Sequence, residues 1–391
     1  MKFLIIAGEE SGEIYGAALI REIKRLLPDA RFSGIGGDRM AAEGFHIHHH
    51  CSEMASIGLV HMLKKISFLL GALGEVRARI KQKEYDAVVL IDYPDFNLRV
   101  AKEAFAAKVP VFYYVCPQFW AWRRYRVRSV RKWVDTMMVV LPFEEEFYRQ
   151  RGVNARFIGH PLLDAMNLDV NREELKKTLL PEKSDTLIGL LPGSRKNEVK
   201  EMLGRFLETA DIIHSAKPGA GFAIPVASHV PMEPVREAVG SRDYIKLLKS
   251  GSHDVMAASD LLITKSGTST LEAAIFGAPM IIVYSSSFFS YWLAKPLVRV
   301  KYAGLPNLIA EKEIAPEFFQ YDFEPSRVAA AALDVFSEEP ATANALFGME
   351  QVVATPHLGA STTEAQEKVA LQVAEQMLDY LLTGAVINAL N

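Results

Sequence analysis

The chain has 391 residues, 50% of them apolar and 23% charged, with a net charge of −3. That length exceeds one ordinary hydrophobic core and argues for two domains, while the near-neutral balance excludes a global electrostatic pull toward nucleic acid or anionic lipid. Two cysteines far apart, Cys51 and Cys116, exclude a disulfide framework and a cysteine zinc site and point to a reducing compartment.

FLIIAG (3–8) reads as a first strand and not as a secretion signal, because it ends in Gly and acids without a small-residue cleavage site. A helix is expected from Ser11 to about Leu26. DAVVLID (86–92), VPVFYYV (109–115) and TMMVVLPF (136–143) follow as strands with helices between them, and RFIGHPLLDAM (156–166) closes this half. A second series comprises TLIGLLPG (186–193), GFAIPVA (221–227), YIKLL (244–248), LLITKSG (261–267) and PMIIVYS (279–285). Continuous apolar strands alternating with helices predict parallel sheets covered on both faces. Two α/β units are therefore expected, joined near 165–185, with ligands at the carboxyl ends of strands and in the cleft between the units. No run of about 18 uncharged apolar residues is present. IGLVHMLKKISFLLGAL (57–73) comes closest, but Lys64 and Lys65 interrupt it, which suits a helix with one apolar face turned to the core or to a membrane surface.

Several strand-to-helix turns carry candidate chemistry. AGEESGE (7–13) sets Gly8, Ser11 and Gly12 where free N–H groups can hold a hydroxyl-rich or anionic ligand, and Ser11 equally reads as a plain helix cap. GIGGDRM (34–40) lacks the third glycine of a dinucleotide fingerprint and reads as a tight turn with close backbone approach. In IDYPDFN (91–97), Asp92 ends an apolar strand, where partial burial raises a carboxyl toward a useful base. Asp95 reads as a turn or cap residue. LLPGSRKNEV (190–199) offers the Ser194 hydroxyl and the Arg195 fork, and TKSGTSTLEAA (264–274) places Ser266, Gly267 and Thr268 at a helix start with Glu272 beyond them. Two such cradles suit a diphosphate and a nearby carboxylate suits ribose hydroxyls. GxxxxGK[ST] is absent, which argues against triphosphate hydrolysis. WAWRRYRVRSVRKW (120–133) interleaves arginines with aromatics and reads as a solvated helix face, a membrane-facing patch or, last, a nucleic-acid site. In HIHHHC (46–51), strand alternation would set His46, His48 and His50 on one face. Without acidic residues around it, this reads as a surface strand before a metal site.

Taken in order, AGEESGE, GIGGDRM, IGLVHML, IDYPDFN, CPQFWAWR, LPFEEEFY, FIGHPLLD, LLPGSR, SGTSTLE and FFSYWLAKPLVRVKYAGLPNLIA (288–310) resemble bacterial lipid A disaccharide synthase over about residues 1–327. The resemblance implies two Rossmann-like domains in the GT-B arrangement, residues 1–168 on the acceptor and lipid side and 169–327 binding the UDP-sugar. The implied reaction joins UDP-2,3-diacylglucosamine to 2,3-diacylglucosamine 1-phosphate with inversion and release of UDP, without metal or cofactor. It implies Asp92 as general base, Arg195, Ser266, Gly267 and Thr268 around the diphosphate, and Glu272 at the ribose, with Ser194 a further substrate-binding candidate beside them. Glu9, Ser11 and Asn307 would line the substrate site. The implied setting is cytoplasmic, on the inner face of the inner membrane, with no nucleic-acid partner. Glu13, Tyr93, Cys116 and Gln118 depart from the family pattern.

From about residue 329 the chain resembles D-3-phosphoglycerate dehydrogenase instead. The matching stretch runs from ALDVFSEEP through VVATPHLGASTTEAQ to the end, and His357 falls on that family's catalytic histidine. A truncated dehydrogenase-like tail over 328–391, reading strand–loop–strand–helix, is therefore expected. That family's arginine, glutamate and GxGxxG loop are missing, so a 2-hydroxyacid dehydrogenase is the weakest functional reading. A catalytically impaired fusion that still binds UDP is the nearer alternative. WAWR and GLPNL argue against a UDP-sugar 2-epimerase. Val369, Val373, Met377 and Leu381 lie at helical spacing, which suggests a packing helix over 362–382 that substitutes for the synthase's own C-terminus.

Overall fold

The computed structural model describes residues 1–55, 62–285, 300–337 and 368–383. The chain divides into two compact units, residues 1–165 with the C-terminal helix, and residues 166–361. In the first unit seven parallel strands stand in the order β3-β2-β1-β4-β5-β6-β7. They are β1 (Lys2–Ala7), β2 (Arg31–Gly36), β3 (Phe45–His50), β4 (Ala87–Ile91), β5 (Val111–Tyr114), β6 (Thr136–Val139) and β7 (Ala155–Phe157). The strands β1 and β4 are buried along almost their whole length, which is why they read as unbroken apolar runs.

Helices cover both faces of this sheet. Met62–Lys81, Pro94–Ala107 and Val127–Trp133 pack on one face around Leu4, Leu90 and Tyr113. The first of them turns Ala72, Val76 and Ile80 to the core and leaves Leu70 exposed. Residues 57–61 of the apolar segment lie outside the described residues. Glu10–Leu26 and the C-terminal helix Lys368–Thr383 cover the other face.

The second unit is a six-stranded parallel sheet, β10-β9-β8-β11-β12-β13. Its strands are β8 (Thr186–Leu191), β9 (Ala220–Val226), β10 (Ile245–Lys249), β11 (Leu261–Lys265), β12 (Met280–Tyr284) and β13 (Glu317–Phe319). Both sheets reverse their winding once, between β1 and β4 and between β8 and β11. Ligands of doubly wound sheets bind at such switch points.

The region from 328 onward is shared between the units. VAAAALDVFS, expected as a strand, is part of the helix Pro325–Ser337. Val328, Ala329 and Ala332 are buried against the helix Lys196–Ala216, a three-and-four spacing on good helix formers that outweighs the local β-branched content. The helix Lys368–Thr383 buries Val369, Val373, Ala374 and Met377 in the core of the first unit, with Leu381 partly buried there. Tyr380 meets Phe112 edge-on at 5.5 Å and donates to Asp135 Oδ1 at 3.1 Å. The packing-helix expectation holds over 368–383. Its first residues, 362–367, lie outside the described residues, as does His357.

Met377 is fully buried, so Met377→Ala should destabilise the first unit by about 2–5 kcal/mol. A lowered urea midpoint would read this out, and Leu382→Ala, at a position 66% exposed, should leave the midpoint nearly unchanged.

Candidate functional site

The switch point of the first unit is built from the ends of β1 and β4, which pair Ala7 with Ile91. After β1 the chain turns at Gly8, and a Cβ there would stand 2.6 Å from the Tyr93 ring, so only glycine admits that close approach. Glu9, not Ser11, is the N-cap of the helix Glu10–Leu26, in extended backbone and with no side-chain cap bond. Ser11 lies inside the first turn, which removes the plain-cap reading. After β4, Asp92 and Tyr93 both take positive φ, 45° and 46°. Burial pushes the Asp92 carboxyl up to about 6, the Glu9 charge adds to that, and the Tyr93 N–H opposes it. The structure therefore brings Glu9 and Asp92 together at one site, and Asp92 remains largely ionised near neutral pH.

Asp95 does not join them. It is 70% exposed and pairs with Arg126 and, at 3.5 Å, with Arg123. The basic run is thus partly committed to its own surface: Arg123 also lies over Trp122 at 4.3 Å and Arg124 donates to the Trp120 carbonyl at 2.9 Å. Trp120 is an internal anchor. Its Nε1 donates to Glu144 Oε1 at 2.8 Å, while Glu144 Oε2 accepts from the Val140 and Leu141 N–H groups at 3.1 and 2.9 Å. Burial pushes Glu144 up to about 7, against these donors. Cys116 is buried too and donates to the Tyr148 hydroxyl at 2.7 Å, whereas Gln118 is exposed.

GIGGDRM is a turn of close approaches. A Cβ on Gly34 would meet the Ile5 carbonyl oxygen at 2.3 Å, and one on Gly37 would meet the Glu13 carboxylate at 2.5 Å. Glu13 accepts from the Arg39 N–H at 2.6 Å, so the helix start Asp38–Ala42 already holds an internal anion. Of the histidines, His46 and His48 share a face with rings 5.0 Å apart, His48 meets the Tyr85 hydroxyl at 3.2 Å and His49 meets Glu75 at 2.9 Å. Among the described residues no group of three or more His, Cys, Asp or Glu is arranged to hold a metal.

In the second unit β8 and β11 pair Leu191 with Thr264, which sets LLPGSR beside KSGTST. Ser194 and Arg195 are exposed, and Arg195 caps the helix Lys196–Ala216. Gly267 caps the helix Thr268–Ile275, with Gly267 and Thr268 exposed and Ser266 half-buried. Two residues that motif reading passed over tie the loops together. Glu198 accepts from the Arg195 N–H at 3.3 Å and its Nη1 at 3.2 Å, and pairs with Lys265 Nζ at 3.2 Å. Burial opposes ionisation of Glu198, yet Lys265 and Arg195 hold it below the usual carboxylate range. Lys265 directly precedes Ser266, a signal available in TKSG. Glu272 faces His253 at 3.7 Å, and its carboxylate raises the His253 pKa, against burial.

Asn307 corrects an expectation. It is fully buried, and its side chain is saturated internally: Nδ2 donates to the Ala315 carbonyl and Glu317 Oε1, both at 2.7 Å, and Oδ1 accepts from Ile314 and Ala315 N–H at 2.8 and 2.9 Å. That side chain has no donor or acceptor left for a ligand. Instead it braces residues 303–317, whose Ala303 carbonyl accepts from Ser266 Oγ at 2.9 Å and whose Leu305 N–H donates to Thr270 Oγ1 at 3.3 Å.

A family model described as lipid-A-disaccharide synthetase matches residues 3–373. The lipid-A-disaccharide synthase of Nitrosococcus oceani is 40% identical over 338 residues, covering 86% of this chain and 87% of the relative. That of Saccharophagus degradans is 38% identical over 380 residues, covering 95% and 97%. Among solved structures, a calicheamicin glycosyltransferase matches with a TM-score of 0.61 at 13% identity, over 98% of this chain and 99% of that one, which is a likeness of fold. The two parallel-sheet α/β units are like those of GT-B glycosyltransferases in fold. The family match runs beyond residue 327, where the motif resemblance was expected to stop, and into the C-terminal helix.

Replacing Asn307 with Ala would remove four internal hydrogen bonds and strand the Ile314 N–H and the Ala315 N–H and carbonyl. Each stranded group is expected to cost about 1–3 kcal/mol less whatever water can repair, so thermal unfolding should show a clear loss of stability, whereas Ser194→Ala at an exposed position should not.

Proposed function

The chain belongs to the lipid-A-disaccharide synthase family, and we propose for it the inverting transfer of 2,3-diacylglucosamine from its UDP-activated form to 2,3-diacylglucosamine 1-phosphate. The 6-hydroxyl of the acceptor attacks the anomeric carbon of the donor. A new carbon–oxygen bond forms as the bond to UDP breaks, and the hydroxyl proton passes to Asp92. The observation that carries this assignment is the Asp92 carboxyl, at a sheet switch point and pushed up to about 6 by burial and Glu9. A base of that strength is ionised at neutral pH yet stronger than an ordinary carboxylate.

The leaving UDP gains negative charge as it departs. In this reading the N–H groups at the start of Thr268–Ile275, the hydroxyls of Ser194, Ser266 and Thr268, and the Arg195 guanidinium take that charge. Gly267 admits the phosphate to the backbone and Glu272 meets the ribose. Lys265 adds a cation beside them, which supports the diphosphate assignment. Glu9 and Ser11 line the acceptor side, and Asn307 acts only by bracing the Ser266 loop.

Acylated substrates imply work at a lipid surface. No helix among the described residues is long and apolar enough to cross a membrane. In the first unit residues 122–132 leave Trp122 and Tyr125 exposed alongside Arg124, Arg128, Arg131 and Lys132. Aromatic and basic side chains presented together favour an anionic membrane surface, and we assign peripheral docking to this segment, on the cytoplasmic side of the inner membrane. The dehydrogenase-like stretch takes no part in the chemistry. What supports this is that its described helix is committed to packing and that the partners a dehydrogenase histidine needs are missing from the chain.

Given both acylated substrates, the whole chain should form the acylated disaccharide phosphate, read by mass spectrometry. The rate should fall as pH drops through about 6, where Asp92 takes up its proton. Asp92→Asn should lose about 10²- to 10⁴-fold in kcat while keeping UDP affinity. A folded Asp92→Asn chain with ordinary turnover would remove the base assignment. Arg128→Glu combined with Lys132→Glu should weaken co-sedimentation with anionic vesicles and leave neutral vesicles unaffected.

A further inference from the structure

β4 ends at Ile91, and the next two residues leave the ordinary backbone regions. Asp92 has φ 45°, and Tyr93 has φ 46° and ψ 59°. This is the left-handed conformation, which non-glycine residues visit rarely and β4's ordinary continuation would not demand. Two such residues in succession persist only where their surroundings fix them.

The fixings are buried polar groups that no part of the chemistry uses. The Asp92 carbonyl oxygen accepts from the Tyr113 hydroxyl at 2.6 Å and from Asn97 Nδ2 at 2.7 Å. Asn97 Nδ2 also reaches the Ile91 carbonyl at 3.2 Å. Asn97 and Tyr113 are both 0% exposed. The Asn97 amide cannot be turned round, because its oxygen would then face two carbonyl oxygens. Its Oδ1 has no hydrogen-bond partner. The core thus tolerates an unpaired buried acceptor while both amide donors are delivered to the end of β4, an arrangement unfavourable for stability alone. On the far side, the Tyr93 ring lies against Gly8, where a Cβ would stand 2.6 Å away.

We propose that Asn97 and Tyr113 are positioning residues that hold the Asp92–Tyr93 turn in its left-handed form and so keep the Asp92 carboxyl beside Glu9. The inference rests on the reading of Asp92 as the base. The titratable groups that face Asp92 are Glu9 after β1, Tyr93 on its own turn, Tyr113 on β5 and Cys116 just beyond it, with Arg126 acting on Tyr113. None of those nearest Asp92 is a cation. A carboxyl held there stays a stronger base than one released to water, which would return toward the ordinary carboxylate range.

Tyr113→Phe removes one donor and keeps the ring, and Asn97→Ser removes the amide. In each folded variant kcat should fall by about ten- to a hundredfold, the scale of a small misplacement. KM for both substrates should stay near its wild-type value, and the acidic limb of the pH–rate profile should move below about 6. Crystal structures of the variants should show residues 92–93 relaxed out of the left-handed region. Wild-type kcat and an unmoved acidic limb in both variants, beside an inactive Asp92→Asn, would overturn the clamp and leave the base assignment standing. Full turnover by folded Asp92→Asn would overturn the base assignment and the catalytic role of the clamp with it. Left-handed backbone at 92–93 in both variant structures would overturn the clamp whatever the activity.

Discussion

A parallel strand that ends beneath a helix must convert, within two or three residues, from extended backbone paired on both sides to a helix whose first N–H groups have no partner. Where the sheet reverses its winding, two such conversions stand side by side and leave a crevice. This chain does so twice, after β1 and β4 and again after β8 and β11. The residues read as chemical gather at those places because donors and space are available there. Glu9 and Asp92 share the first. Arg195, Lys265 and the Ser266–Thr268 turn share the second. An acid pair beside one crevice and cations beside the other fit the two halves of a sugar transfer, one that takes up a proton and one that releases an anion.

Around each crevice lies a shell of buried polar groups whose work is to hold backbone. Asn307 and Glu317 fasten residues 303–307, and that segment receives the Ser266 hydroxyl. Glu144 gathers Trp120 and two backbone N–H groups around one carboxyl, and Asn97 with Tyr113 grips the end of β4. Such groups look functional in sequence because they are polar, specific and set within motifs. Burial separates the two kinds. An exposed side chain such as Arg195 keeps hydrogen-bonding capacity toward solvent, whereas a bracing one is saturated from within, as Asn307 is.

That distinction marks what the sequence could tell. The strands buried on both faces, β1, β4, β8 and β11, were legible as apolar runs, and so were the turns that follow them. RFSGIG was not read as β2, because two glycines and a serine erase the apolar pattern. Gly34 is there because β1 passes so close that any side chain would strike the Ile5 carbonyl. β13, EFF, is too short for a period to appear. Asp92 is legible as a candidate because it ends a visible strand. Asn97, Tyr113 and Glu198 are not, since their roles depend on backbone atoms that no spacing rule brings together.

The C-terminal helix shows the same separation of letters from physics. The first unit presents an apolar face around Phe112, Met138 and Ile158 that needs a cover. The requirement on the cover is a stripe of apolar side chains at helical spacing and of about the right volume, and cores accept many sequences that meet it. Val369, Val373 and Met377 meet it, and Tyr380 adds a ring contact and a hydrogen bond. A packing helix is specified by period and volume, while a catalytic site is specified by particular atoms in particular places. The match of the synthase family runs as far as residue 373, into the first turns of this covering helix.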